Sequence, residues 1–135
     1  MSPGGTAIAI DLDLSLIQVR MLNLELRKAD IVAGRMERGT CDLVTVRAVL
    51  HHVKDAQTVI ANMVASLKAG GVLFLIEPDF LPVRVAEPSE TRAFWDGWLA
   101  WSRERGIDYQ IERSLAARLA PRCLTNIRGT AETAV

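Results

Sequence analysis

From Cys41 to Phe80 the chain reads CDLVTVRAVLHHVKDAQTVIANMVASLKAGGVLFLIEPDF. The stretch holds a short apolar run, a polar turn with adjacent histidines, an amphipathic segment, a Gly-Gly stop and a second apolar run. Read as strand, turn, helix and strand, it is a βαβ crossover, the unit that builds parallel sheets. Asp55 is placed to cap the helix, because its carboxylate can accept from the free amides of the first turn. Val59, Ile60, Met63, Val64 and Leu67 share one stripe at helical spacing. Lys68 suits the negative end of the helix dipole, and Gly70 suits a left-handed cap. Val72 to Ile76 is apolar at every position, as a strand covered on both faces should be.

The flanking residues extend the pattern. Thr6 to Asp11 is a short apolar run closed by an acid, with β-branched Ile8 and Ile10, and predicts a strand. Leu14 to Leu22 predicts a brief helix. Leu24 to Lys28 alternates apolar and charged residues, like a strand with one wet face. Leu43 to Val46 is the third strand, and the charged residues from Asp30 to Gly39 form a loop before it. Beyond Glu77, Pro78, Pro82 and Pro88 interrupt regular structure. Ser89 to Arg105 predicts a helix with Ser89 as cap and Gly106 as stop. It carries Phe94, Trp95, Trp98, Leu99 and Trp101. Glu112 to Ala120 predicts a last helix ended by Pro121, and Leu124 to Arg128 the start of a further strand.

Composition excludes several classes. At 135 residues, half of them hydrophobic and with zero formal net charge, the chain is one domain with a real core. The neutral balance gives no electrostatic reason to expect nucleic acid or an anionic membrane as partner. No run approaches the roughly 18 apolar residues of a membrane span. The N-terminus lacks the basic region of a signal peptide. Cys41 and Cys123 are too few and too far apart for a disulfide framework, which points to reduced thiols in the cytoplasm.

Two blocks carry a family resemblance. Asp42-Leu43-Val44-Thr45-Val46-Arg47-Ala48-Val49-Leu50-His51-His52-Val53 resembles the fourth strand and following Arg-x-x-x-x-His pattern of class I S-adenosylmethionine-dependent methyltransferases of the small-molecule type. Leu67-Lys68-Ala69-Gly70-Gly71 is similar to that family's Leu-Lys-Pro-Gly-Gly stop, with Ala69 in place of proline. The resemblance implies an α/β fold, namely a partial Rossmann-like methyltransferase sheet with flanking helices and a Trp-rich helical insertion. It implies one partial domain over residues 1–135, with about 78–120 as the insertion or lid and last helix. No Gly-x-Gly-x-Gly pattern occurs in the sequence. The resemblance is therefore to an N-terminally truncated domain, lacking the first strand and the glycine-rich loop that approaches the cofactor. That strand belongs between those at Thr6 to Asp11 and Leu43 to Val46. Its loss leaves a central gap, with self-association through unpaired sheet edges as one way to close it.

The same resemblance implies roles. S-adenosyl-L-methionine is the cofactor and a small molecule the methyl acceptor. Asp11 accepts from the ribose hydroxyls, Leu12 lies against adenine, Asp30 accepts from the adenine amino group, and the Ile31 amide faces the ring. Arg47 sits at the carboxyl edge, where α/β sheets place ligands. His51 and His52 lie under the cofactor or toward the acceptor. The aromatic helix itself, apart from the resemblance, suggests a lid in which Trp95 and Trp98 line the acceptor pocket. Each role has a plainer rival. Asp11 suits a turn, and Asp13 competes for its place. The adjacent histidines diverge and find no third ligand, so no metal is expected; a structural histidine comes before a general base. Glu77 suits a loop cap better than a catalytic acid, and the Trp stripe suits a core as well as a lid. With no glycine loop, transfer is impaired, and the alternative is a noncatalytic remnant or binding module. A nicotinamide-dependent dehydrogenase, whose second strand also ends in an acid, is a weaker rival.

Overall fold

Two pairs of parallel strands frame the structure, a computed structural model that describes residues 4–34, 36–80 and 88–132. β1 (Ala7–Asp11) pairs with β2 (Leu24–Lys28), and β3 (Cys41–Arg47) pairs with β4 (Leu67–Ile76). The crossover read from Cys41 onward is present. β3 leads through a 3-10 turn at Leu50–His52 and helix α1 (Ala56–Ser66) into parallel β4. The two pairs share no hydrogen-bonded edge among the described residues. The sheet is thus divided where the resemblance places its absent strand, and β1 and β3 do not close the division by pairing directly. This is a mixed α/β frame, a partial Rossmann-like fold.

α1 covers one face of β3 and β4. The Asp55 carboxylate accepts from the Thr58 amide at 2.9 Å and the Thr58 hydroxyl at 2.6 Å, a cap that contributes about 1 kcal/mol. Ala56, Val59, Ile60 and Met63 are buried with Val44, Leu50 and Ile111 in a single core. Val46, Val64, Leu67, Leu73 and Leu75 pack partly buried around it. Ile31, Val32 and Met36 join the same core, and the Asn62 side-chain amide donates to the Ile31 carbonyl at 3.2 Å. The loop after β2 is thereby tied to α1.

Several expectations are corrected. α1 ends at Ser66, before Gly70, because the amides of Gly39 and Thr40 donate to the carbonyls of Ala65 and Ser66 at 3.0 and 2.9 Å. With those helix-end acceptors satisfied, the chain enters β4 at Leu67, opposite Cys41. Residues 68–71 then bulge before Val72 pairs with Leu43. Gly70 takes its left-handed φ of 78° in that bulge, and Lys68 pairs with Asp42 at 2.8 Å instead of serving the helix end. Among the described residues β4 is covered on one face only. Val72, Phe74 and Ile76 are 57%, 55% and 43% exposed, beside Leu43 at 58%. No element covers that face among the described residues.

The remaining differences lie outside the crossover. Leu14 to Leu22 gives only a 3-10 turn at Leu14–Leu16, capped by Asp13. Helix α2 spans Thr91–Glu104, and its N-cap is Glu90 without a side-chain cap, so Ser89 does not serve that role. Gly106 does stop it. With φ at 78°, its amide bonds to the Arg103 carbonyl at 2.9 Å, and the Ile107 amide to the Ser102 carbonyl at 3.0 Å, the paired arrangement of a left-handed helix end. The last helix is split into a 3-10 turn at Ile111–Ser114, α3 at Leu115–Leu119 and a 3-10 turn at Ala120–Arg122 that contains Pro121. Leu124 to Arg128 forms no strand, and Asn126 at φ 57° breaks its extension. Pro82 and the part of the insertion at 81–87 lie outside the described residues. No helix among the described residues is long and apolar enough to cross a membrane.

Ile60 is fully buried and Phe74 is half exposed. Ile60→Ala should therefore lower unfolding free energy by about 3 kcal/mol, and Phe74→Thr by less than about 1 kcal/mol. Urea unfolding followed by circular dichroism measures both. Equal losses would mean that the open face of β4 is covered in solution.

Candidate functional site

The acids expected to meet an adenosine stand on adjacent strand ends. Asp11 closes β1 in register with Lys28 at the end of β2, and the Ala29 amide donates to the Asp11 carbonyl at 3.0 Å. Asp30 follows immediately, so both carboxylates lie at the carboxyl edge of the same strand pair. Each uses one oxygen locally. Asp11 Oδ1 accepts from the Asp13 amide at 2.9 Å, and Asp30 Oδ1 from the Val32 amide at 2.8 Å. Both side chains are exposed, and the Oδ2 atoms have no hydrogen bond among the described residues. Each acid is thus a turn former with one acceptor left over. Asp13 caps its own 3-10 turn through Ser15, which holds its carboxyl below the ordinary range.

Leu12 is 63% exposed beside Asp11, and Ile31 is half-buried against the core. The loop carrying Asp30 is tight. The Gly34 amide donates to the Asp30 carbonyl, and a Cβ at Gly34 would collide with that oxygen. Arg47 ends β3, exposed, in register with Ile76. These placements fit an adenosine, since two oriented carboxylates offer charge-assisted acceptors to hydroxyl and amino donors.

A second constellation forms at the end of β3. Ala48 adopts φ 54°, a left-handed conformation strained for a residue with a Cβ. Its amide is held by the Ile76 carbonyl at 2.8 Å. The turn that follows points three amides at one buried carboxylate. Glu77 Oε1 accepts from Val49 at 3.0 Å and Leu50 at 2.8 Å, and Oε2 from the His51 amide at 3.4 Å. His51 Nδ1 lies 2.7 Å from the same Oε2. The Glu77 side chain is fully buried and that of His51 is 4% exposed. A carboxylate only accepts, so an ionised Glu77 places the His51 proton on Nδ1. Glu77 is the loop cap and His51 a satisfied structural histidine. His52 packs on His51 with ring centroids 3.9 Å apart. Partial burial, and then the neighbouring His51, lower its pKa and favour the neutral ring.

The aromatic helix reaches this turn through two rings that carry no obvious motif. The Asp108 amide donates to the His51 carbonyl at 2.8 Å, which sets Tyr109 4.9 Å from His51. Tyr109 stacks on Trp98 at 4.5 Å and meets Phe80 at 4.6 Å. Trp95 lies edge-on to Trp98 at 5.6 Å. The stripe expected on one face is therefore split. Trp95, Trp98 and Leu99 turn inward, while Phe94 and Trp101 remain exposed. Two open hollows, of about 300 Å³ against Leu24 and Leu26 and about 440 Å³ between Met36 and Asn62, are lined by none of these acids or rings.

Beside Asp79 sits an acid that the sequence does not advertise. Both Glu112 oxygens are buried and lack a hydrogen-bond partner among the described residues. Burial pushes its pKa up to about 7, helped by the Asp79 carboxylate and opposed by Arg113. Arg113 also clasps Asp79 at 2.5 and 3.3 Å.

Parallel strand pairs around a βαβ crossover, with acids at adjacent strand ends, place the chain among Rossmann-like α/β proteins. Residues 2–75, just over half of the chain, match the family described as a methyltransferase domain. The chain belongs to that family, in its class I S-adenosylmethionine-dependent form. No curated protein matches the chain.

Glu77→Ala should strand three amides and the His51 ring, with a loss of about 3 kcal/mol in urea unfolding. A loss under about 1 kcal/mol would show that water replaces the carboxylate. Glu112 sets a pH dependence. Below pH 4.5 it is protonated in both the folded and unfolded chain; between 4.5 and about 7 only the folded chain keeps the proton. Unfolding then releases a proton, so its contribution to stability falls as pH rises through that window. Glu112→Gln should remove this slope, leaving a variant more stable than wild type at pH 8. Melting temperatures across pH 4 to 8 test it, and parallel profiles would exclude Glu112 as the source.

Proposed function

We propose that the chain serves S-adenosylmethionine-dependent methyl transfer to a small-molecule acceptor, and that transfer is weak relative to adenosine binding in these 135 residues alone. The supporting observation is the placement of Asp11 and Asp30 on neighbouring parallel strand ends, each with one carboxylate oxygen unspent. When bound, the cofactor supplies a methyl group on a sulfonium, a good leaving group that needs alignment more than acid-base chemistry. Asp11 accepts from ribose and Asp30 from the adenine amino group, while Leu12 and the Ile31 amide flank the ring. Arg47 stands at the carboxyl edge of β3.

The wall of Phe80, Trp95, Trp98 and Tyr109 against the His51 turn suits a planar or apolar acceptor and excludes water. His52, neutral and beside that wall, is the group suited to receive a proton from the acceptor. The methionine end is less well served, since no Gly-x-Gly-x-Gly turn is among these residues. A cytoplasmic setting suits the two free thiols.

Isothermal calorimetry with S-adenosylhomocysteine tests the reading. Binding is expected, and Asp11→Ala should weaken it roughly tenfold or more, the range of a lost charge-assisted hydrogen bond. No heat from a folded sample at millimolar ligand would leave a noncatalytic remnant as the better description. Thermal protection by a nicotinamide dinucleotide but not by S-adenosylhomocysteine would point to a dehydrogenase.

A further inference from the structure

Helix α2 has an outer face that the aromatic wall does not use. Phe94 is 63% exposed and Trp101 47% exposed. They lie seven residues apart, two helical turns, and so project from one side. Between them Gly97 is open, and a Cβ added there would meet nothing within 4 Å. Exposed Glu90 and Arg105 bracket the stripe. Arg105 is already oriented, with its guanidinium 4.1 Å over the Trp101 ring and a bond from Nη1 to the Trp101 carbonyl at 3.4 Å.

This stripe is self-complementary about its midpoint. Phe94 and Trp101 are equidistant from the point between Gly97 and Trp98, and so are Glu90 and Arg105. We propose that α2 is a homodimer interface, in which two copies of the helix cross antiparallel at Gly97 with each Phe94 against the other copy's Trp101. Each Glu90 then faces the other copy's Arg105, giving two opposite-charge pairs about 22 Å apart along the helix axis. Gly97 leaves open space on one side of the crossing line, and Trp98 on the other side is stacked inward on Tyr109. The symmetric like-charge pair, Arg92 and Arg103, causes no conflict. At 3.6 residues per turn those residues lie about 170° from the crossing line, on the far side of the helix. Two exposed aromatics flanked by opposite charges are the composition of an interface centre and rim. The patch is short, so the dimer is a weak one.

Sedimentation velocity between roughly 10 and 500 µM tests the proposal, because weak interfaces fill in that range. The mass should rise from the 14.8 kDa of one chain toward twice that value. Trp101→Glu should abolish the rise. Glu90→Arg and Arg105→Glu should each weaken association roughly tenfold, and the double reversal should restore it, since it rebuilds both pairs with opposite polarity. These two residues are exposed, so circular dichroism should show the fold unchanged in each variant. Three results would overturn the proposal. They are a monomer across the whole range, an association that survives Trp101→Glu as pairing through sheet edges would, and a double reversal no better than the single changes.

Discussion

Much of this structure hangs on one carboxylate. Glu77 lies directly after β4, yet its oxygens satisfy the amides of Val49, Leu50 and His51 and hold the His51 ring. An unpartnered amide in that position would be costly, because Leu50, His51 and the Glu77 side chain are buried. The strained Ala48 is held by the β4 backbone next to it. The end of β3 therefore takes its shape from the end of β4, and the conformation of the histidine turn depends on contacts from both strands. From that turn the order propagates outward, through the His51 carbonyl to Asp108, Tyr109 and the inner face of α2.

The division of the sheet and the placement of the site are two aspects of one arrangement. β1 and β2 carry the acids, while β3 and β4 carry the histidine turn and the rings. They are joined through Ile31, Val32 and Met36, which pack on the core that α1 forms, and not by strand pairing. In an undivided parallel sheet, hydrogen bonds would fix the distance between the acid edge and the aromatic wall. Here that distance depends on side-chain packing of Ile31, Val32 and Met36, a softer constraint.

The sequence showed most where local rules and burial agree. The Asp55 cap, the Val59, Ile60 and Met63 stripe, and the strands at Leu24 to Lys28 and Leu43 to Val46 follow from periodicity and turn chemistry alone, the latter running in the structure from Cys41 to Arg47. Helix ends were less legible, because Gly39 and Thr40, far away in sequence, decide that α1 stops at Ser66. The apolar run of β4 promised cover on both faces, and periodicity cannot say whether a second layer exists to provide it. In the candidate site, Glu77 was readable as a loop cap and His51 as structural. Tyr109, Phe80 and Glu112 were not, since single residues outside any repeat become meaningful only when the chain folds them against α2 and Asp79.

The stack of Tyr109 on Trp98 has an optical consequence. The chain holds one tyrosine and three tryptophans, and that tyrosine lies 4.5 Å from an indole ring. Dipolar energy transfer rises so steeply at short range that light absorbed by Tyr109 leaves as tryptophan emission while α2 stays docked. Detachment of the helix breaks that 4.5 Å stack, lengthens the distance and lets part of the tyrosine emission return. The molecule carries its own two-colour gauge of whether the aromatic wall is assembled, readable without any label.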